Sequence, residues 1–139
     1  MNTIISSRFL KNAFLADAAA TGALAALHLA RPQGLTGLLD LPDALLQGTG
    51  LFMAGYVLML LGLAACRTLW RPLVLFVVVG NVLWALASVD LLVLGLLEPA
   101  GWGVAYVILQ ALGTLGLAGL QYRGLKASPA AAAPRTAAA

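Results

Sequence analysis

Two acids, Asp17 and Asp90, lie inside long apolar stretches of this chain, and few other polar side chains share those stretches. Asp17, Thr21 and His28 are spaced by four and seven, so a helix carries them on one face. Asn81, Trp84 and Ser88 are spaced by three and four, Gln110 and Thr114 by four, and Tyr56 stands near the middle of its own stretch. An ionisable side chain in an apolar helix marks a substrate or proton pathway by default, because even the mildest scale puts a few kcal/mol on each such charge. The functional reading makes Asp17 a protonatable carboxylate in that pathway. The plain alternative has Asp17 hydrogen-bonded to Asn81 as interhelical glue, a bond worth about 0.6–2 kcal/mol in membranes.

The remaining polar residues are assigned milder roles. Thr21, Ser88 and Thr114 are expected to satisfy their own helix backbones. Gln121 falls close enough to a helix end to be solvated, and His28 reads as an exposed interfacial histidine. Asp90 lies off the Asn81 stripe, as a second intramembrane acid that pairs with Gln110 or faces a neighbouring protomer. No His, Cys or carboxylate cluster has metal-ligand spacing, so neither a metal nor a cofactor is expected. Met53 and Met59 are six apart and read as packing residues rather than copper ligands. Cys66 is the single cysteine, which excludes an intrachain disulfide. Nothing resembles a nucleophile–base pair, so an enzyme is not the expected class.

Apolar helices must position these groups. The chain has 139 residues, 62% hydrophobic and only 9% charged, against about 25% charged in a soluble domain. Lipid must therefore be the solvent for most of it. Four apolar runs, at 9–30, 42–66, 72–97 and 101–122, each reach the ~20 residues that a spanning helix needs. Their continuity excludes the ~10-residue alternation of membrane strands. The expected fold is all-α: a four-transmembrane-helix bundle, up-down-up-down. Asp40 is a candidate cap for the second run, with Pro42 in the first turn and Asp43 at the capping-box position. Pro72 suits the first turn of the third. Pro32, Gly34 and Gly37 make residues 31–41 an interfacial loop or short surface helix, and Pro99 separates the last two runs. Residues 127–139, mostly alanine and proline, read as a disordered tail. Within the bundle, Asp17, Asn81, Tyr56 and Thr114 fall at similar depths, with Trp84 and Gln110 about one turn further along.

Charge orients the bundle. Arg8, Lys11, Arg67, Arg71, Arg123, Lys126 and Arg135 fall on one side of alternating helices, and only Arg31 falls on the other. The positive-inside rule then puts both termini in the cytoplasm. The net charge of +3 is scattered over the joints between runs, which argues against nucleic acid as a partner. Trp70, Trp102 and Tyr122 near helix ends suit the membrane interface. Ala18, Gly22 and Ala26, and Gly113, Gly116 and Gly119, form small-residue strips. They suit close helix packing, inside the bundle or against a second copy.

The string Asp17-Ala-Ala-Ala-Thr-Gly22, the segment Asn81-Val-Leu-Trp84-Ala-Leu-Ala-Ser88 and the segment Gly103-Val-Ala-Tyr-Val-Ile-Leu-Gln110-Ala resemble a family of short bacterial four-helix membrane proteins. The likeness covers most of residues 10–125. It implies a bacterial inner-membrane protein in which Asp17, Asn81, Trp84, Ser88 and Gln110 form one site or packing core, and it implies no activity. Members carry an acid near the end of the fourth helix, where this chain reads Ala118-Gly119-Leu120-Gln121. Three roles follow, in order. The first is a non-catalytic module of the lipid bilayer, a homo-oligomer or accessory subunit of a larger membrane complex. The second is a small proton-coupled transporter using Asp17. The third is a lipid- or quinone-binding protein.

Overall fold

The computed structural model describes residues 2–30 and 32–131. Arg31 and residues 132–139, which include Arg135 and most of the expected tail, lie outside the described residues. The described chain forms α1 (Arg8–Ala30), α2 (Pro32–Leu39), α3 (Asp43–Ala65), α4 (Arg71–Val93) and α5 (Gly101–Lys126), with two short strands, β1 (Thr3–Ile5) and β2 (Thr68–Trp70). The four long helices have 23, 23, 23 and 26 residues and are apolar enough to cross a membrane. At 1.5 Å per residue they reach about 35 Å or more, against a hydrocarbon core of about 30 Å. Their outer faces are strongly apolar, with Leu58, Val93 and Leu109 each about 70% exposed or more. Such a surface suits lipid rather than water. Of the interfacial loop or short surface helix expected within 31–41, the structure has a helix, α2.

Local chemistry sets the ends of the helices. The Ser7 Oγ accepts the Leu10 N–H at 3.1 Å and caps α1. Pro72 occupies the first turn of α4, as expected. Asp40 does not cap α3. It ends α2 instead, with φ +55° and its N–H donating to the Thr36 carbonyl, a left-handed conformation that aspartate tolerates. Asp43 accepts a hydrogen bond from the Thr36 hydroxyl, which ties α2 to the start of α3.

Helix α4 ends at Val93, four residues before the expected boundary. Gly95 takes φ +64°, the Leu96 N–H bonds the Leu91 carbonyl and the Gly95 N–H bonds the Leu92 carbonyl. This is a Schellman motif, and the glycine makes it possible. Helix α5 runs four residues past its expected end, to Lys126.

The packing is a chain of neighbours rather than a closed ring: α3 lies on α1, α1 on α5 and α5 on α4, while α3 and α4 make no extended contact. Gly124 sets the α1–α5 approach, since a Cβ there would sit 2.7 Å from the Leu10 Cα. The Gly113, Gly116 and Gly119 strip has nothing within contact distance and faces outward.

One end of the bundle is tied by β-pairing. β1 pairs antiparallel with β2, which buries Ile4 and Leu69 together. On the other edge of β1, the Ile5 N–H donates to the Pro129 carbonyl and the Ala131 N–H to the Thr3 carbonyl. Residues 127–131, the first part of the segment read as a tail, are therefore held against the N-terminal strand. Ser128 is buried and its hydroxyl bonds the Gly124 carbonyl at 2.8 Å. Both ends of the described chain thus meet at the end of the bundle that carries Arg8, Lys11, Arg67, Arg71, Arg123 and Lys126.

Candidate functional site

Four helices send polar side chains to a common point, about two and a half turns in from the end where the termini meet along α1, α3 and α4, and about one and a half turns in along α5. Asp17 on α1 is 2% exposed. Its Oδ2 accepts from the Gln121 amide of α5 at 2.7 Å and from the Asn81 amide of α4 at 2.9 Å. Its Oδ1 accepts from the Thr21 hydroxyl at 2.9 Å. The Tyr56 hydroxyl of α3 lies 2.8 Å from Asn81 Oδ1 and 3.2 Å from Asp17 Oδ2, and its one proton serves one of them at a time. The second amide hydrogen of Asn81 reaches Gln121 Oε1 at 3.1 Å. Every partner of the Asp17 carboxyl is a hydrogen-bond donor, so the group is satisfied without a cation.

The expected meeting of Asp17, Asn81 and Tyr56 is therefore present, with two differences. Gln121 is not solvated: it is fully buried at the centre of the network. The extra turn of α5 moves it inward from the helix end, and Gly124, one turn beyond, brings that part of α5 close to α1. Thr21 serves Asp17 rather than its own backbone. The signal available in the sequence was the polar amide itself, lying on the Gln110 face of α5.

Further from that end lie Trp84 and Thr114, about one turn beyond Asp17, and then Ser88 and Gln110, about two turns beyond it, so Thr114, against expectation, does not join the Asp17 layer. The Ser88 hydroxyl donates to the Trp84 carbonyl at 2.8 Å and accepts from the Gln110 amide at 3.0 Å. The Thr114 hydroxyl donates to the Gln110 carbonyl at 2.8 Å. Ser88 and Thr114 thus bond their own backbones, as expected. Asp90 does not pair with Gln110. Because α4 stops at Val93, Asp90 stands exposed in its last turn, and its side chain has no hydrogen-bond partner among the described residues.

His28 departs most from expectation. It is 5% exposed, with Nδ1 3.0 Å from the Thr49 Oγ1 and Nε2 2.6 Å from the Tyr106 Oη. The Thr49 proton is engaged by the Leu45 carbonyl at 2.8 Å. Neutral His28 therefore donates from Nδ1 to Thr49 and accepts the Tyr106 hydroxyl at Nε2. The short helix α2 packs against α3 and α5 at this end, with its Leu35 and Leu39 buried beside Tyr106.

Where the backbones of α3 and α4 stay apart, a cleft of about 500 Å³ opens between them, within the range of small-molecule sites. Phe52 and Trp84 stack across it, ring centres 5.3 Å apart and planes 10° from parallel. Its walls are apolar, its floor is Tyr56 and Asn81, and Thr21, Gln110 and Thr114 also line it. Asp17 itself does not. A second chamber of about 200 Å³ adjoins His28 and Tyr106. Met53, Trp84 and Gln110 line both chambers and form the waist between them. Among the described residues, no three His, Cys, Asp or Glu side chains gather as a metal site would require. A scan of protein-family models matches none to this chain, and neither curated proteins nor solved structures give a match.

Proposed function

We propose that this chain is a non-catalytic module of a bacterial inner membrane that admits a lipid-soluble ligand sideways, between α3 and α4. It works as an oligomer or as an accessory subunit of a larger membrane complex. The observation that carries the ligand-binding reading is the α3–α4 cleft, apolar in its walls, polar at its floor, and lying where two spanning helices are not in extended contact. A photoreactive long-chain diazirine in native membranes tests it. Labelling is expected on Met53 and Trp84 in preference to the outward-facing Leu112 of α5. Equal labelling of all three ends this reading.

Both termini face the cytoplasm in this proposal. The basic residues gathered where the termini meet support that orientation through the positive-inside rule. Cys66, the only cysteine of the chain and exposed at that end, is the reporter. A membrane-impermeant maleimide should label it in inverted vesicles and not in intact cells.

Proton-coupled transport through Asp17 is the second reading. Its support is that Thr21 and Tyr56 touch Asp17 and also line the cleft, so two hydroxyls connect the sealed carboxyl to a ligand. Equal pH-dependent flux by wild type and Asp17→Asn in proteoliposomes would remove it.

A further inference from the structure

We infer that the ligand's polar group is a neutral hydroxyl, held at the waist by Gln110 and Trp84, with its apolar part lying in the cleft. This rests on the reading of the α3–α4 cleft as a ligand site. The argument is which lining groups still have hydrogen-bonding capacity. In the floor, both Asn81 amide hydrogens and its carbonyl are engaged, and the Tyr56 and Thr21 protons point into the Asp17 network. In the second chamber, both nitrogens of His28 and the Tyr106 proton are engaged. Both ends are internally satisfied and offer little to a ligand.

The waist differs. Gln110 uses one amide hydrogen, on Ser88, which leaves the other hydrogen and the side-chain carbonyl without a partner among the described residues. The Trp84 indole N–H is likewise unengaged there. Both side chains line both chambers. A primary amide offering one donor and one acceptor in apolar surroundings is matched by a group that both accepts and donates. A hydroxyl does so, accepting from the amide or indole N–H and donating to the Gln110 carbonyl. Charge excludes the commoner headgroups: no Lys, Arg, Asp or Glu lines either chamber, so a phosphate would enter without a counter-charge. The fit is to a long-chain or polycyclic lipid alcohol.

The experiment uses Trp84 as its own reporter. In the full chain carrying Trp70→Phe and Trp102→Phe, reconstituted in nanodiscs, Trp84 emission is followed while a dibrominated C18 alcohol, its phosphate monoester or the matching dibrominated hydrocarbon is added. The alcohol should half-quench at a mole fraction about tenfold below the hydrocarbon, the ratio expected of one or two hydrogen bonds made away from water. The phosphate should do no better than the hydrocarbon. Gln110→Leu should erase the preference while hydrocarbon quenching persists. Equal quenching by alcohol and hydrocarbon, a stronger effect of the phosphate, or an alcohol preference that survives Gln110→Leu would overturn the inference. The wild-type ratio decides the matter even where Gln110→Leu does not fold. A chain retaining only Trp102, which is 72% exposed, provides the bulk-lipid reference. If no probe quenches Trp84 beyond Trp102, the cleft reading falls and takes this inference with it. If the probes enter without discrimination, the cleft reading stands and only the hydroxyl assignment fails.

Discussion

The Asp17 layer and the Gln110 waist are built from the same side-chain chemistry on the same helices, yet they are finished differently. Gln121 and Gln110 lie eleven residues apart on α5, about three turns, and so project from nearly the same face. Gln121 is fully buried and bonds both Asp17 and Asn81. Gln110 is half-buried, bonds Ser88 alone and lines the cleft. One amide closes a network and the other leaves it open. A buried polar network is valuable when complete and costly when any member is removed. Stability should therefore concentrate in the closed layer and recognition in the open one.

The severest break of this contrast is Asp17→Ala. It removes the shared acceptor and leaves amide hydrogens of Asn81 and Gln121 without a partner in an apolar interior. A loss of about 3 kcal/mol is expected, from two orphaned donors at ~1–3 kcal/mol each and the cavity left behind. Circular-dichroism melting in a mild detergent measures it, and a shift no larger than that of a surface substitution would mean the layer is not closed. Gly124→Ala acts on the same layer from a distance. Its Cβ would meet backbone atoms of Leu10 at 2.7 and 3.0 Å, so α5 must move off α1 and carry Gln121 away from Asp17. About 1–3 kcal/mol is expected, as for other forced overpacking. Combining it with Gln121→Leu should give less than the sum, because both act through one contact; additive losses would show that Gly124 works elsewhere.

How much of this was readable in the residues depended on distance from helix ends. The four apolar helices and the meeting of Asp17 with Asn81 and Tyr56 follow from composition and spacing, since only inward positions tolerate such groups in lipid. Gln121 and Asp90 were misplaced for one shared reason. A polar residue near a boundary changes environment when that boundary shifts by one turn, and the two boundaries shifted in opposite senses. Gly95 was the signal for α4: a glycine after an apolar run, four residues before Pro99, is a natural left-handed stop. His28 could not be located from its own helix at all. Its partners are Thr49 on α3 and Tyr106 on α5, the latter packed against Leu35 and Leu39 of α2, which are tertiary contacts without a local signature. The cleft was equally hidden, because it arises where the backbones of α3 and α4 stay apart and only side chains such as Phe52 and Trp84 bridge them.

The mildest substitution sharpens the contrast most, because it repeats one chemical change at two places. Gln121→Leu and Gln110→Leu remove the same amide from the same face of one helix. At Gln121 the change strands hydrogen-bonding groups of Asp17 and Asn81, and about 1–2 kcal/mol of stability should be lost, the upper range for interhelical bonds in membranes. At Gln110 the only bond lost is to Ser88, whose hydroxyl keeps the Trp84 carbonyl, and the unengaged carbonyl and N–H disappear with the amide. Leucine there should change stability by less than about 0.6 kcal/mol. Side-by-side melts of the two variants read the difference directly. A Gln110→Leu loss as large as that of Gln121→Leu would mean that both amides are structural, and that no hydrogen-bonding capacity at the waist is held for a ligand.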